Sequence, residues 1–187
     1  MLRHLPNFLT TLRLAAAPAT AVLLAAGHFT AAFGVFAAAG LSDAADGFLA
    51  KRFGLSSRLG RVLDPAADKA LMLAAFVTLA VLDDVPAWLA GIVIARDALI
   101  LLGLAIAMAA QAPISIQPLL IGKLCTVLQV LYIGWHLAAL AFDFPTGSVS
   151  PADAYAVGLV AVLSGTAYLA VWFQAMRALW CRDVRRV

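Results

Sequence analysis

The chain has 187 residues, of which 64% are hydrophobic and only 12% charged. A soluble domain is near half apolar and about a quarter charged, so no water-soluble fold hides this much apolar surface, and lipid is the predicted solvent. The formal net charge of +3 is too small an excess to indicate a nucleic-acid partner; in such a chain basic residues face the cytoplasm and anionic head groups.

In chain order, Leu2 to Leu12, with Pro6 near its start, reads as a short amphipathic helix lying at the interface. Six apolar stretches follow, each long enough to cross a bilayer as a helix: Leu9 to Gly27, Thr30 to Ala50, Leu59 to Leu82, Ala87 to Ala109, Leu119 to Phe142 and Pro151 to Ala175. Turn chemistry separates them at Gly27-His28, Phe53-Gly54, Asp83-Asp84 before Pro86, Ala112-Pro113 and Phe144 to Gly147. Arg3 with the run from Leu14 to Ala26 resembles a signal peptide, but the chain that follows is equally apolar, which predicts a retained first span. The expected fold is therefore an all-α integral membrane protein of six transmembrane helices plus a short N-terminal interfacial helix, with residues 1–187 forming one domain.

Lys and Arg placement predicts the orientation. Arg3, Arg13, the cluster Lys51, Arg52, Arg58 and Arg61, and the tail residues Arg177, Arg182, Arg185 and Arg186 all fall on one side of a six-span arrangement. The opposite loops hold His28, Asp83, Asp84 and Asp143 and no Lys or Arg. The basic side, with both termini, is predicted to be cytoplasmic. Cys125 in an apolar helix and Cys181 in the basic tail are too far apart in sequence to form a metal-ligand pair and read as reduced thiols.

The unusual feature lies where the second and third spans meet the cytoplasm. All ten acidic residues are aspartate, and four of them, Asp43, Asp46, Asp64 and Asp68, fall in this short region. Asp43 and Asp46 are three apart and Asp64 and Asp68 four apart, so each pair occupies one helical face. An ionised aspartate within a span costs about 2.5–3.5 kcal/mol, and converging carboxylates also repel one another. Isolated aspartates at helix ends are commonly charges that reach the interface, but four at these spacings predict a bound hard cation. Oxygen ligands suit Mg²⁺, Mn²⁺ or Ca²⁺, and two ions would suit displacement at a phosphoryl group. Gly47 and Gly60 leave room for close approach, Lys51 can pair with a diphosphate, and Ser57 can donate a hydrogen bond from the loop. Transporters also carry intramembrane acids, but near the midplane with broken helices and repeats; these lie towards the basic ends, where a water-soluble head group docks.

The spacing resembles the CDP-alcohol phosphotransferases, whose signature is D-x-x-D-G-x-x-A-R, eight or nine residues, then G-x-x-x-D-x-x-x-D. Asp43, Asp46, Gly47, Ala50, Gly60, Asp64 and Asp68 stand at matching places, and Lys51 stands where the family has arginine, keeping the charge without the bidentate fork. The resemblance implies that Asp43, Asp46, Asp64 and Asp68 hold two divalent ions, Mg²⁺ or Mn²⁺, and that Asp68 is the catalytic base. It implies that Gly47, Lys51, Ser57 and Gly60 contact the cytidine diphosphate part of CDP-diacylglycerol, and that the protein is a homodimer; the expected host is a bacterial inner membrane, with a mitochondrial inner membrane as the alternative. Pro6 to Thr10 with Arg13 resembles the family's entry segment. Asn7 and Thr10 there fit two readings, contact with the nucleotide or helix capping at the interface.

Two features bear on the acceptor alcohol. Arg96-Asp97 lies inside the fourth span, either as a functional pair or as a self-neutralising one, and Lys123 lies in the fifth. Phosphatidylglycerophosphate synthases resemble the chain but show A-R-E in span four and a second lysine two places after the first, where this chain has Asp97 and Cys125. A phosphomonoester such as glycerol 3-phosphate wants several cations. Eukaryotic-type cardiolipin synthases, with R-D and a single lysine, are more similar. That resemblance implies phosphatidylglycerol as acceptor, with Arg96 and Lys123 holding its phosphate.

Overall fold

The computed structural model describes residues 5–53, 60–109, 119–144 and 150–183, with side chains for 11–42, 68–103, 105–106, 119–144 and 150–174. Within them the chain is all-helical: α1 (Leu5–Ala25), α2 (Phe29–Phe53), α3 (Gly60–Val81), α4 (Ala87–Ala109), α5 (Leu120–Ala141) and α6 (Pro151–Asp183). The six expected stretches thus fall on six helices. Two of these, Leu120–Ala141 and the Pro151–Gln174 part of α6, are long and apolar enough to cross a bilayer by length and composition. Large apolar side chains stand on the surface, Leu120 at 82% exposure and Val81 at 77%, whereas Arg13, Thr20, Arg96, Gln129, His136 and Ser164 are buried. Apolar residues outside and polar ones inside is the arrangement expected where lipid is the solvent.

One expectation is corrected. From Leu5 onward the expected interfacial segment is not a separate helix: α1 is continuous from Leu5 to Ala25. Pro6 falls in its first turn, where its missing N–H would have had no intrahelical partner. Pro18 lies inside the same helix, as membrane helices tolerate when neighbours re-satisfy the freed carbonyl. The sixth helix runs past Ala175 to Asp183. It begins with Pro151 at its first position and carries Asp153 in its first turn, which complements the helix dipole.

The chain forms two compact units, residues 1–87 with 130–150, and residues 88–129 with 151–187. In the first, α1 packs against both α2 and α3. The buried stripe of α3, Leu71, Met72, Ala75, Phe76 and Leu79, has helical period, and the Phe76 ring stacks on Tyr132 of α5 at 6.4 Å. In the second unit, α6 buries Ala154, Val157, Ala161, Ser164 and Tyr168. Small residues on this stripe let helices approach closely: a Cβ on Gly158 would lie 2.7 Å from Trp88 of α4, whose ring stacks on Tyr155.

The helices α1, α3 and α5 end alike. Gly27, Asp83 and Asp143 take left-handed φ values of 76°, 62° and 54°. The following amides reach back, His28 to Leu23 O at 2.8 Å, Asp84 to Leu79 O at 3.0 Å and Phe144 to Ala139 O at 2.9 Å. These are Schellman closures, with aspartate taking the glycine's place twice because its short polar side chain tolerates this region. Side-chain bonds tie the turns to neighbouring helices: Thr30 Oγ1 donates to Ala141 O at 3.2 Å, and His136 Nε2 lies 3.1 Å from Asp84 O.

Burial raises the Asp84 carboxyl above its ordinary range; His136 opposes the rise and Asp83 adds to it. A folded-state pKa above the unfolded one favours the protonated form, so this carboxylate's contribution to stability is greatest at acid pH and is lost as pH rises through the folded value. Asp84→Asn should therefore raise the melting temperature in detergent at neutral pH, with a gain that shrinks as pH falls through the raised folded value and is gone below the ordinary carboxylate range. A gain that is constant with pH would assign the effect to something other than the charge.

Candidate functional site

In the first unit, the acidic residues lie on two helices that share α1 as a neighbour. Asp43, Asp46, Gly47 and Lys51 occupy successive turns of α2, which is uninterrupted to Phe53. Gly60 opens α3, and Asp64 and Asp68 follow one turn apart in it. Each predicted pair therefore does sit on continuous helix. Asp68 is half-buried. Asn7 and Thr10 lie in the first turns of α1. Ser57 falls outside the described residues, as do the side chains of Asn7, Thr10, Asp43, Asp46, Lys51 and Asp64.

A groove of about 330 Å³ opens between α1 and α2. Leu12, Ala15, Ala16 and Ala19 line it from α1, and Val35, Ala38 and Ala39 from α2, with Arg13 and Ser42 as its polar members. That volume is within the range of small-ligand sites. Ser42 donates to Ala38 O at 2.7 Å and immediately precedes Asp43, so the groove reaches the acidic turn of α2. Arg13 is only 3% exposed. In sequence it marks the start of a span and resembles part of an entry segment; its burial in the helix packing is a tertiary property that neither feature signals.

In the second unit, Arg96 is the centre of a polar cluster joining α4, α5 and α6. Its guanidinium is buried and makes a 2.6 Å ion pair from Nη1 to Asp97 Oδ1. Nε and Nη2 both donate to Ser164 Oγ, at 3.3 and 3.0 Å, and Nη2 donates also to Gly122 O at 3.3 Å. The Tyr168 ring lies 6.0 Å from the guanidinium carbon, at the limit of cation–π attraction. The adjacent Asp97 matches the charge of a buried arginine that would otherwise be costly. Lys123, next to Gly122, is by contrast exposed and makes no ion pair among the described residues. Cys125, at the place of the second lysine of phosphatidylglycerophosphate synthases, is a buried thiol outside any disulfide and accepts a 3.3 Å bond from Gln129 Nε2.

Sequence reasoning singles out Arg96, Asp97 and Lys123 but misses Ser164 and the carbonyl of Gly122. A signal for Ser164 exists: it is the hydroxyl within a run of small residues, Gly158, Ala161 and Gly165, at helical spacing. No sequence signal marks a backbone carbonyl as an acceptor.

The four motif aspartates would offer carboxylate oxygens, a donor chemistry that fits hard divalent cations and not zinc. A sequence model of the family described as CDP-alcohol phosphatidyltransferase matches residues 3–180. The chain is similar to the cardiolipin synthase (CMP-forming) / mitochondrial hydrolase fusion protein of Schizosaccharomyces pombe, with 33% identity over 179 residues, covering 88% of this chain and 30% of the relative. It is 31% identical over 156 residues to the cardiolipin synthase (CMP-forming) of Rattus norvegicus, covering 75% of this chain and 52% of that protein. A probable phosphatidylglycerophosphate synthase of Mycobacterium tuberculosis is 33% identical over 174 residues, covering 89% of this chain and 80% of that protein. The chain thus spans about half or less of the length of the first two relatives.

Proposed function

Because the chain belongs to the CDP-alcohol phosphatidyltransferase family of phospholipid-synthesising enzymes, we propose that it transfers the phosphatidyl group of CDP-diacylglycerol to phosphatidylglycerol, giving cardiolipin and CMP. The charge inventory of α4 to α6 carries the choice of acceptor. Among the described side chains of α4 to α6, Arg96 is neutralised by Asp97 and held by Ser164 and Gly122, and Lys123 is the cation left for an incoming phosphate. One available cation among the described residues suits a phosphodiester with a single charge. A phosphomonoester carries nearly two and wants more. The similarity to the fission-yeast and rat cardiolipin synthases supports the same choice. Phosphatidylglycerophosphate synthesis is the second reading, favoured by the mycobacterial relative, which is matched over 80% of its length.

Asp43, Asp46, Asp64 and Asp68 would hold two divalent ions, Mg²⁺ or Mn²⁺. Bound there, the ions supply neutralisation of the negative charge on the diphosphate. In this reading Asp68 accepts the proton of the acceptor hydroxyl as its oxygen bonds to the phosphorus next to diacylglycerol; the bond from that phosphorus to the CMP oxygen breaks and CMP departs. Lys51, with Gly47, Ser57 and Gly60, orients the cytidine diphosphate, and Asn7 and Thr10 border it. The groove between α1 and α2 gives the donor's apolar part a surface leading to the acidic turn. The basic loop and tail favour a site on the cytoplasmic side of a bacterial inner membrane, and the family resemblance favours a homodimer.

Three outcomes check this reading. Labelled CDP-diacylglycerol, offered with phosphatidylglycerol, glycerol 3-phosphate, serine and inositol phosphate together, should yield labelled cardiolipin; labelled phosphatidylglycerophosphate as the main product would overturn the acceptor. Asp68→Asn should lower CMP release at least about a hundredfold, within the usual range for losing a general base, in protein that still melts cooperatively. Exhaustive chelation should abolish turnover and added Mg²⁺ or Mn²⁺ restore it; turnover that survives chelation removes the metal role of the four aspartates.

A further inference from the structure

Arg96 has the best-defined polar surroundings in the second unit, and they point inward. A guanidinium carries five N–H groups. Four are taken within the chain: Nε and one on Nη2 by Ser164 Oγ, the second on Nη2 by Gly122 O, and one on Nη1 by Asp97 Oδ1. A ligand that took these donors would have to strip a buried cation of partners already matched to it, at a cost that a single new phosphate contact does not repay. Gly122, whose carbonyl Arg96 grips, is the residue before Lys123. The same carbonyl accepts from Thr126 Oγ1 at 3.1 Å. The absence of a side chain at Gly122 permits the grip, since a Cβ there would lie 2.8 Å from Tyr168 Oη and 3.3 Å from Arg96 Nη2.

We propose that Arg96 is a positioning residue that acts through Lys123, and that Ser164 and Gly122 are the parts of α6 and α5 that hold it to this task. Ser164 sets the guanidinium from α6, the guanidinium sets the backbone of α5 at Gly122, and Lys123 presents its ammonium to the acceptor's phosphate from the place so fixed. The ligand class is a phosphate-bearing acceptor. The inference rests on the reading of Lys123 as the acceptor's cation, but not on which acceptor it is.

The test uses the full chain in mixed micelles and compares Ser164→Ala, Lys123→Gln, the double variant, and Thr166→Ala. Thr166 is exposed on α6 and, among the described residues, its hydroxyl bonds to carbonyls of its own helix, at Val162 and Leu163, so it controls for losing a hydroxyl from this helix. For each variant KM is measured for phosphatidylglycerol and for CDP-diacylglycerol, with kcat. The rise in melting temperature on adding phosphatidylglycerol is also measured, so that a variant too slow for kinetics still reports binding.

Ser164→Ala should raise KM for phosphatidylglycerol about tenfold, as expected when a bond to a charged group is lost, and leave KM for CDP-diacylglycerol within about twofold. In the Lys123→Gln background the same change should add less than about twofold, because its effect passes through Lys123. Effects that multiply in the double variant would mean that Arg96 touches the acceptor itself and would overturn the proposal. Equal losses for both substrates, or a lower melting temperature with unchanged KM, would reduce the cluster to a structural brace. If the wild-type enzyme proves to use glycerol 3-phosphate, the series is run with that acceptor, so an error about the acceptor is told apart from an error about Arg96.

Discussion

The ion pair between Arg96 and Asp97 is a charge problem solved locally. A guanidinium in a low-dielectric interior is tolerated only when its charge is matched and its donors are satisfied. Adjacent residues supply the match here, at 2.6 Å, and two other helices supply the remaining acceptors. The arrangement specifies more than it stabilises. Three helices that could otherwise slide along apolar faces are held in register by directional bonds, and the register determines where the residue after Gly122 stands. The small residues of α6 serve the same end, because only a helix with little side-chain bulk on that stripe comes close enough for Ser164 to accept from Arg96.

The first unit handles charge in a different manner. Its four motif aspartates lie on α2 and α3 in pairs three and four residues apart, with Lys69 directly after Asp68 and Lys51, Arg52 and Arg61 on the same helices.

Much of this was legible in the sequence. Apolar length identified the helices, and turn residues located the reversals at Gly27, at Asp83-Asp84 and near Asp143, because chain reversal after a helix needs a residue that accepts positive φ. The four aspartates stood out because carboxylates at helical spacing are rare and costly inside apolar spans. What sequence did not reveal was tertiary. The burial of Arg13 depends on α2 and α3, which flank α1. Arg96 and Asp97 were singled out, with two readings left open, but that their charges are answered within α4, α5 and α6 follows from Ser164, sixty-eight residues away from Arg96, and from a carbonyl that every residue possesses.

The tight reversal at Gly27 bears on how the chain reaches its membrane. Only three residues separate the end of α1 at Ala25 from the start of α2 at Phe29. Alone among lipid tails, α1 would expose Arg13 and Thr20, which the finished structure hides. A hairpin this short delivers the shielding helix almost at once. Were α1 and α2 both to enter the bilayer, the unit partitioning from the translocation machinery would be the α1–α2 pair, with α1 held beside that machinery until α2 has been made.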